Sequence, residues 1–321
     1  MWQTRVSSLL AIEYPILAGG MNVISNAELA AAVSNAGGLG IITPFAGLMD
    51  PTPEKLLENL RAQIRLTKSL TRKPFGINFS LSSPIAKDFV TVALEEGFQV
   101  ATTSAGSPSV YTKRLKDAGV KVLHLVASVK HAKKAEAEGV DGVIAEGFEA
   151  GGHNGNDELP TLVLVPQVVD AVKIPVVAAG GIADSRGVVA AIALGAEGVQ
   201  IGTRFIATTE CIAHLNYKNA IINAPDTGTA ITGRSIGGVT RAIKSPFIAR
   251  LQEMEASGAP AKQILDFIGT ERIRLGELQG DLVEGEVYSG AIAGMIRDIK
   301  PAGVVLKEIV DGIPAVTRAM K

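Results

Sequence analysis

The sequence predicts an α/β fold, a (β/α)8 TIM barrel with a small, mostly helical cap inserted after the last strand. Three observations predict it. About eight short apolar runs alternate with helical segments over roughly the first 200 residues, which is typical of parallel strands with helical crossovers. A run of eight units favours a closed barrel over an open sheet. Beyond about residue 210, apolar runs at this spacing stop.

The length and composition allow one large α/β barrel or two ordinary domains. The chain has 321 residues, of which 47% are hydrophobic and 35 are glycine, as a core with many βα turns requires. The net charge of -1 gives no field that favours nucleic acid or an anionic membrane. Cys211 is the single cysteine, so no internal disulfide can form, which suits the cytoplasm. We expect neither a signal peptide at the N-terminus nor a membrane helix.

The strands are expected where short apolar, β-branched runs end in glycine or a polar residue. The predicted strands are Tyr14–Ala18, Leu39–Ile42, Phe75–Phe79, Gln99–Thr103, Val120–Val126, Asp141–Ala145, Ile174–Val177 and Gly198–Ile201. Helical periodicity fills the intervals between them. The predicted helices are Ala27–Ala36, Pro53–Ser69, Asp88–Glu96, Ser109–Ala118, Lys130–Glu138, Leu162–Ala171 and Ser185–Leu194.

The cap is expected at residues 210–285, where helical segments such as Phe247–Glu255 and Ala261–Ile268 are joined by a Gly/Ser/Thr-rich stretch. The chain then returns with two helices, Gly290–Ile299 and Val304–Ala319, which we expect to pack on the barrel. The predicted division is therefore a barrel of residues 1–209 and 286–321 and a cap of residues 210–285.

Glycines follow the last two predicted strands and indicate an anion site. Gly180-Gly181 comes just before the helix that begins near Ser185, and Gly202-Thr203 comes after the next strand. Backbone N–H groups without a neighbouring Cβ, close to a helix N-terminus, can hold a phosphate, and TIM barrels often bind phosphate after strands seven and eight. The sequence thus favours a mononucleotide phosphate here. The alternative is that paired glycines only make tight βα turns.

A glycine-rich loop after the sixth strand carries the candidate catalytic residue. It reads Glu146-Gly147-Phe148-Glu149-Ala150-Gly151-Gly152-His153-Asn154-Gly155. In a barrel this loop lies on the same face as the phosphate glycines, and its backbone can approach a planar ligand closely. His153 would bring an imidazole able to move a proton near neutral pH. The alternative is a loop histidine bonded to a nearby carbonyl.

The remaining histidines and the cysteine indicate no metal centre. His124 lies in a predicted strand, either inside the barrel or buried with a partner, His131 lies on a charged helix, and His214 opens the cap. No histidine pair has metal-ligand spacing, and no HExxH or CxxC motif is present. Cys211 has no evident base partner and is a weak candidate nucleophile.

Polar and glycine positions at the ends of two further strands face the same barrel mouth. Backbone at Gly20-Met21, after the first strand, and the Asn78 amide, at the end of the third, could bond the heteroatom edge of a ring. Met21 could instead pack in the core, and Asn78 could instead cap a turn. Gln200 points either into the barrel or outward to a helix.

Several of these motifs together resemble the nitronate monooxygenase (2-nitropropane dioxygenase) family. They are Tyr-Pro-Ile-x-x-Gly-Gly-Met at 14–21, Ala-Val-Ser-Asn-Ala-Gly-Gly-Leu-Gly at 32–40, Lys-Pro-Phe-Gly-Ile-Asn at 73–78, Glu-Gly-x-Glu-Ala-Gly-Gly-His at 146–153, Ala-Ala-Gly-Gly-Ile-Ala-Asp at 178–184 and Gln-Ile-Gly-Thr-Arg-Phe at 200–205. The resemblance runs to about residue 215 and resumes weakly near 285.

The resemblance implies an FMN-dependent flavoprotein that oxidises alkyl nitronates with O2, with His153 at the reactive side of the flavin as base or substrate orienter. It implies that Gly180, Gly181, Gly202 and Thr203 hold the FMN phosphate. The remaining residues that we expect to contact the cofactor are Gly20, Met21, Asn78, Glu146, Gly151, Gly152, Ala179 and Gln200. A small-molecule substrate and a possible homodimer complete the expectation.

The same motifs resemble FMN-dependent enoyl-acyl-carrier-protein reductases and NAD(P)H:quinone reductases, so an NAD(P)H-dependent reductase is the alternative. The enoyl reductases tend to carry Met-Ala-Gly-Gln-Ile-Ala-Gly after the cap, whereas this chain has Tyr-Ser-Gly-Ala-Ile-Ala-Gly at 288–294. The quinone reductases carry a lysine where this chain has Leu125. Two further hypotheses are a non-catalytic flavin-binding barrel and a barrel that binds a different phosphate ligand without flavin.

Overall fold

The computed structural model describes residues 3–320. We number its eleven strands in chain order: β1 (Ile16–Ala18), β2 (Gly40–Ile42), β3 (Phe75–Ser80), β4 (Val100–Ser104), β5 (Lys121–Val126), β6 (Gly142–Glu146), β7 (Gly152–His153), β8 (Val176–Ala179), β9 (Gly198–Ile201), β10 (Thr229–Thr232) and β11 (Thr240–Ile243). Eight of them are parallel and neighbour one another in the order β1-β9-β8-β6-β5-β4-β3-β2. A parallel bridge between Leu17 and Leu39 joins β1 to β2. The predicted barrel is therefore confirmed.

Alternation along the strands separates two apolar layers. Inside the barrel lies a cluster of buried residues that includes Leu17, Ile41, Val100, Ile144 and Val177. The neighbouring positions point outward into a larger cluster shared with the helices. This period of two is what parallel strands covered by helices require, and it decides which polar side chains can reach the barrel interior.

Fourteen α-helices accompany the strands in the described residues. They are α1 (Arg5–Leu10), α2 (Ala27–Asn35), α3 (Pro53–Leu70), α4 (Ala86–Glu96), α5 (Thr112–Asp117), α6 (Val129–Ala137), α7 (Thr161–Ala171), α8 (Ser185–Ala193), α9 (Thr203–Ile206), α10 (Leu215–Ile222), α11 (Pro246–Ala256), α12 (Ala261–Ile268), α13 (Arg272–Glu277) and α14 (Ala302–Ala319). The seven helices predicted between the strands are all present.

Helix α1 has no counterpart in the prediction. Its apolar residues Val6 and Leu10 belong to the interior cluster, so the helix closes the end of the barrel opposite the strand C-termini. Thr4 and Ser7 form a capping box that starts it. With six residues and only two buried apolar side chains, it carries too little periodicity to predict from sequence.

Of the two helices expected after the cap, one forms. Helix α14 packs against α8 and α2 and completes the outer helix layer. The expected helix at Gly290–Ile299 is wrong: only a 3-10 turn, Ala291–Met295, forms there. Gly294 lies so close to the cap that a Cβ would come within 2.8 Å of the Pro225 carbonyl oxygen, and this close approach replaces helical packing.

Residues 210–285 contain helices α10–α13, as expected, and also a hairpin that the prediction missed. Strands β10 and β11 pair antiparallel, and β11 also pairs with β7 from the loop after β6, through Thr240–His153 and Arg241–Gly152. The hairpin strands are four residues long and rich in threonine, so no apolar run marks them. The predicted domain division stays a prediction, and its bounds at residues 1 and 321 lie outside the described residues.

Two expected absences can be compared with the described residues. None of the helices at residues 3–320 combines the length and apolarity needed to cross a membrane. The same part of the chain holds no cluster of three His, Cys, Asp or Glu side chains that could bind a metal ion.

Candidate active site

A cavity of about 970 Å³ lies at the C-terminal ends of the barrel strands. Its size is at the upper end of the ~300–1,000 Å³ range of small-molecule sites. All thirteen residues predicted for the site line it: Gly20, Met21, Asn78, Glu146, Gly151, Gly152, His153, Ala179, Gly180, Gly181, Gln200, Gly202 and Thr203. The structure thus brings the predicted residues together, while their roles remain predictions.

One end of the cavity is built from backbone. Gly180 and Gly181 have φ values of +89° and +73°, a region that side chains disfavour. A Cβ on Gly180 would lie 2.7 Å from the Gly147 carbonyl oxygen. Gly202 faces this pair from the end of β9, and Thr203 Oγ1 accepts a 2.9 Å hydrogen bond from the Gly290 N–H. The result is a bare main-chain cradle beside the start of α8.

An acidic side chain borders the cradle but is already engaged. Both Glu149 carboxylate oxygens accept from the Thr161 N–H at the start of α7, at 3.2 and 2.9 Å, and Thr161 Oγ1 donates to Oε2 at 2.9 Å. The helix terminus therefore offsets the charge of Glu149. The neighbouring Arg241 guanidinium, which donates to the Phe148 carbonyl, adds a second positive group.

The floor of the cavity fixes the orientation of the Asn78 amide. Asn78 points into the barrel from β3, and its Oδ1 accepts a 3.0 Å hydrogen bond from Thr102 on β4. The NH2 group is thereby turned away from Thr102 as the free donor of the amide. Gly20 lies against it so closely that a Cβ there would be 2.5 Å from Asn78 Cβ.

Met21 and Gln200 differ in what they can offer. The Met21 N–H donates to Ser25 Oγ at 2.8 Å, and Met21 lines the cavity; its contact with a cofactor stays a prediction. Gln200 pairs with Leu17 and Ala179, both members of the interior cluster, and is 9% exposed. The sequence left its direction open; it points into the barrel.

The glycine-rich loop after β6 is clamped by the cap. Gly152, with φ +80°, and His153 form β7 against the hairpin, and Asn154 N–H donates to the Val239 carbonyl at 2.9 Å. A Cβ on Gly151 would come within 2.6 Å of the Ser289 carbonyl carbon. The glycines therefore let the loop lie between barrel and cap with almost no space to spare.

His153 presents its ring to the cavity at this seam. The ring meets Tyr288 edge-on, with centroids 5.8 Å apart and an interplanar angle of 76°. Desolvation by the surrounding chain lowers the His153 pKa below its ordinary 6.5. His153 is open to the cavity, and the lowered pKa favours its neutral form, which can accept a proton.

Glu146, at the end of β6, has the opposite tendency. Desolvation raises its pKa to about 8 because the charged form loses water at the strand end. A carboxyl that is neutral at pH 7 can both donate and accept a hydrogen bond. The barrel side of the cavity therefore offers Glu146 and Asn78 as donors.

The remaining histidines and Cys211 have different surroundings. His124 points outward from β5 and shares a 2.7 Å hydrogen bond with Thr103 Oγ1, and burial lowers its pKa to about 4. His131 lines the outer part of the cavity on α6. His214 caps α10 by accepting from the Asn216 N–H. Burial raises the pKa of the Cys211 thiol to about 12, which agrees with the low expectation for a nucleophile there.

The cap and the segment directly after it supply three cavity residues that the sequence analysis did not assign to the site: Tyr217, Glu277 and Tyr288. The Tyr217 hydroxyl donates to the Tyr288 carbonyl. Glu277 is 2% exposed at the end of α13. The sequence marks position 288 only as a departure from the enoyl reductases. Glu277 lies in a charged stretch that is typical of a solvated helix face, so nothing there indicates a buried site residue.

The chain matches the family model described as nitronate monooxygenase over residues 3–312. A probable nitronate monooxygenase of Staphylococcus aureus is 32% identical, with 98% of each chain covered.

Among solved structures, FabK of Thermotoga maritima is similar with a TM-score of 0.92 and 43% identity, over 100% of this chain and 99% of that one. Nitroalkane oxidase of Streptomyces ansochromogenes is similar with a TM-score of 0.82 and 26% identity, over 98% and 99%. With the family model spanning nearly the whole chain and the motifs meeting in one cavity, this protein is an oxidoreductase that belongs to the nitronate monooxygenase family.

Proposed function

We propose that the protein is an FMN-dependent nitronate monooxygenase that oxidises alkyl nitronates, and the nitroalkanes from which they derive, with O2. The proposal rests on the family, on a cavity that fits a flavin nucleotide, and above all on His153. A neutral imidazole at the cavity seam is the group that proton removal from a nitroalkane needs.

The residues present fit FMN. In the cradle at Gly180, Gly181 and Gly202, the loop after β6 lies so close that a Cβ on Gly180 would meet the Gly147 carbonyl oxygen at 2.7 Å, so a side chain there would displace the cradle backbone. Bare amides and the hydroxyl of Thr203 are the donor types that bind phosphate. Farther along the cavity, Asn78 and Gln200 offer amides suited to the polar edge of the flavin ring.

When bound, FMN would supply the electron transfer between substrate and dioxygen. His153 would accept the α-proton of a neutral nitroalkane: the C–H bond breaks, the proton passes to an imidazole nitrogen, and the electron pair stays on the substrate as the nitronate anion. A nitronate added directly needs no such step. The cap wall, with Tyr288 beside His153, would hold the substrate against the ring and limit the access of water.

An NAD(P)H-dependent reductase of an enoyl thioester or a quinone is the second candidate. Two observations favour the thioester: the 43% identity to FabK over the whole chain, and the extent of the cavity. The cavity continues past the ends of β4 and β5 to His131 and Lys134 on α6, where an extended substrate with an anionic end would fit.

Anaerobic mixing of the purified flavoprotein with NADH, with NADPH and with ethylnitronate tests the proposal. We expect bleaching or a spectral change of the flavin with ethylnitronate and none, on the timescale of turnover, with either nucleotide. Rapid bleaching by a nucleotide, followed by reoxidation with crotonyl thioester or a quinone, would assign the protein to the second candidate instead.

Two further outcomes would reject both candidates. A flavoprotein that turns over none of these substrates would be a non-catalytic binding barrel. A colourless protein that cannot be reconstituted with FMN would point to a barrel for a different phosphate ligand.

A cytoplasmic location and a homodimer are also part of the proposal. Sedimentation of the purified protein tests whether it is a dimer.

A further inference from the structure

The cap side of the cavity contains a buried carboxyl group whose hydrogen bonding is incomplete. Glu277 lines the cavity at the C-terminus of α13 and is 2% exposed. Its Oε1 accepts a 3.3 Å hydrogen bond from the Tyr288 N–H. Its Oε2 is buried and has no hydrogen-bond partner in the described residues. An orphaned buried polar atom of this kind destabilises the fold unless a ligand or water completes its hydrogen bonding.

The groups around Glu277 act on its pKa in both directions. The Tyr288 N–H lowers the pKa, and so does the nearby Tyr217 hydroxyl, which itself donates to the Tyr288 carbonyl. Glu286 adds a like charge that raises the pKa. Within residues 3–320, no basic side chain forms an ion pair with it. Burial is the main cause that raises the Glu277 pKa to about 8. At neutral pH the side chain is therefore a carboxylic acid.

The geometry decides where the acid proton lies. A neutral carboxyl has one oxygen that carries the proton and one that does not. Because Oε1 already accepts from the Tyr288 N–H, the proton belongs on Oε2, the oxygen that the described chain leaves without a partner. A group that completes Oε2 must then be a hydrogen-bond acceptor.

We propose that Glu277 binds the substrate by donating a hydrogen bond from Oε2 to an acceptor oxygen, a nitro or carbonyl oxygen. The inference deepens the proposed function and rests on the same cavity. Tyr288 joins the two groups, because its N–H donates to Glu277 and its ring meets His153. Either candidate substrate class carries such an oxygen, so the assignment does not depend on which one is turned over.

Binding of unreactive probes to the FMN-loaded protein tests this without turnover. 2-Methyl-2-nitropropane has a nitro group but no α-proton, and a saturated S-butyryl thioester has a carbonyl but no double bond to reduce. Dissociation constants come from the change in flavin absorbance, or from calorimetry if the protein holds no flavin. The probe that binds more tightly identifies the source of the acceptor oxygen.

Two substitutions at Glu277 separate hydrogen bonding from packing. Glu277→Leu keeps the volume and removes the donor, and we expect its dissociation constant for the tighter probe to rise about 5–10-fold. Glu277→Gln keeps an N–H donor, and we expect a change below about twofold. The matched control is Glu286→Gln, a neighbouring buried carboxyl that does not line the cavity. At pH 6, where Glu277 and Glu286 are both mainly protonated, this variant should leave binding unchanged.

The pH dependence provides a second readout. Because an ionised Glu277 has no proton to donate, probe affinity should fall as pH rises through about 8 in the wild type and stay level in Glu277→Gln. Wild-type binding of neither probe, an unchanged constant in Glu277→Leu, or equal losses in Glu277→Leu and Glu277→Gln would overturn the inference. Failure of the proposed function would appear separately, as absent flavin or absent nitronate turnover.

Discussion

The two ends of the cavity are built in different ways. The barrel end is main chain: glycines with positive φ, such as Gly180 and Gly181, leave amides bare next to a helix start. The cap end is side chain: Tyr217, Glu277 and Tyr288 form a wall whose ionisable groups are held neutral by burial. A main-chain cradle recognises any phosphate, whereas a side-chain wall can change with the substrate. Under the proposed function, the barrel end would bind the cofactor and the cap end would set the specificity.

The largest expected effect on flavin content comes from adding a side chain to a glycine of the main-chain cradle. In Gly180→Ala the new Cβ meets the Gly147 carbonyl at 2.7 Å, and the φ of +89° adds strain of about 1–2 kcal/mol. We expect the purified variant to hold less than about a tenth of the wild-type flavin. The measurement is flavin absorbance per polypeptide after reconstitution with FMN.

Gly139→Ala is the matched control for this change. Gly139 has a similar φ of +79°, but none of the described residues comes within 4 Å of its Cβ position. It should show the backbone strain alone, with full flavin content. Equal flavin loss in the two variants would mean that strain, rather than the cradle, explains the effect.

A smaller effect is expected from the barrel floor, where a second residue holds Asn78 in place. Thr102→Val removes the hydroxyl that donates to Asn78 Oδ1, so the amide loses its fixed orientation. We expect the FMN dissociation constant to rise about 3–10-fold, the value of one hydrogen bond. Fluorescence titration of the apoprotein with FMN measures it.

The adjacent Thr103→Val serves as the control, because Thr103 points out of the barrel and bonds His124. This variant should bind FMN as the wild type does. An equal loss of affinity in both variants would indicate general damage to β4 and contradict the assignment of Asn78 as an oriented donor.

The barrel end could be predicted from sequence because its signals are local. Strand runs, Gly180-Gly181 and the end of β9 lie in fixed order, and parallel strands bring their C-terminal ends to one mouth. The inward direction of Gln200 became clear only from its pairing with Leu17 and Ala179. The hydrogen bond from the Met21 N–H to Ser25 Oγ is a side-chain contact that no periodicity in the sequence reveals.

The cap end could not be predicted because its contacts join distant segments. Glu277 contacts Tyr288 across a turn, and Tyr217 reaches the same point from α10. The hairpin of β10 and β11 lacks apolar runs, so nothing in the sequence indicates its pairing with His153. The short helix α1 was missed for the same reason: its burial comes from the barrel it closes.

His153 lies between the two ends, and one comparison tests its role as the base directly. The rate with neutral nitroethane and the rate with preformed ethylnitronate are measured in the wild type and in His153→Ala across pH 5–8, with flavin content as the control. Because desolvation lowers the His153 pKa below the ordinary 6.5, the wild-type kcat/KM with nitroethane should begin to fall at a lower pH than an unperturbed imidazole would give. We expect the kcat/KM of His153→Ala with nitroethane to fall about 100-fold or more, while the variant keeps FMN and most of its nitronate activity. Full nitroethane activity in this variant, or an equal loss with both substrates, would contradict it.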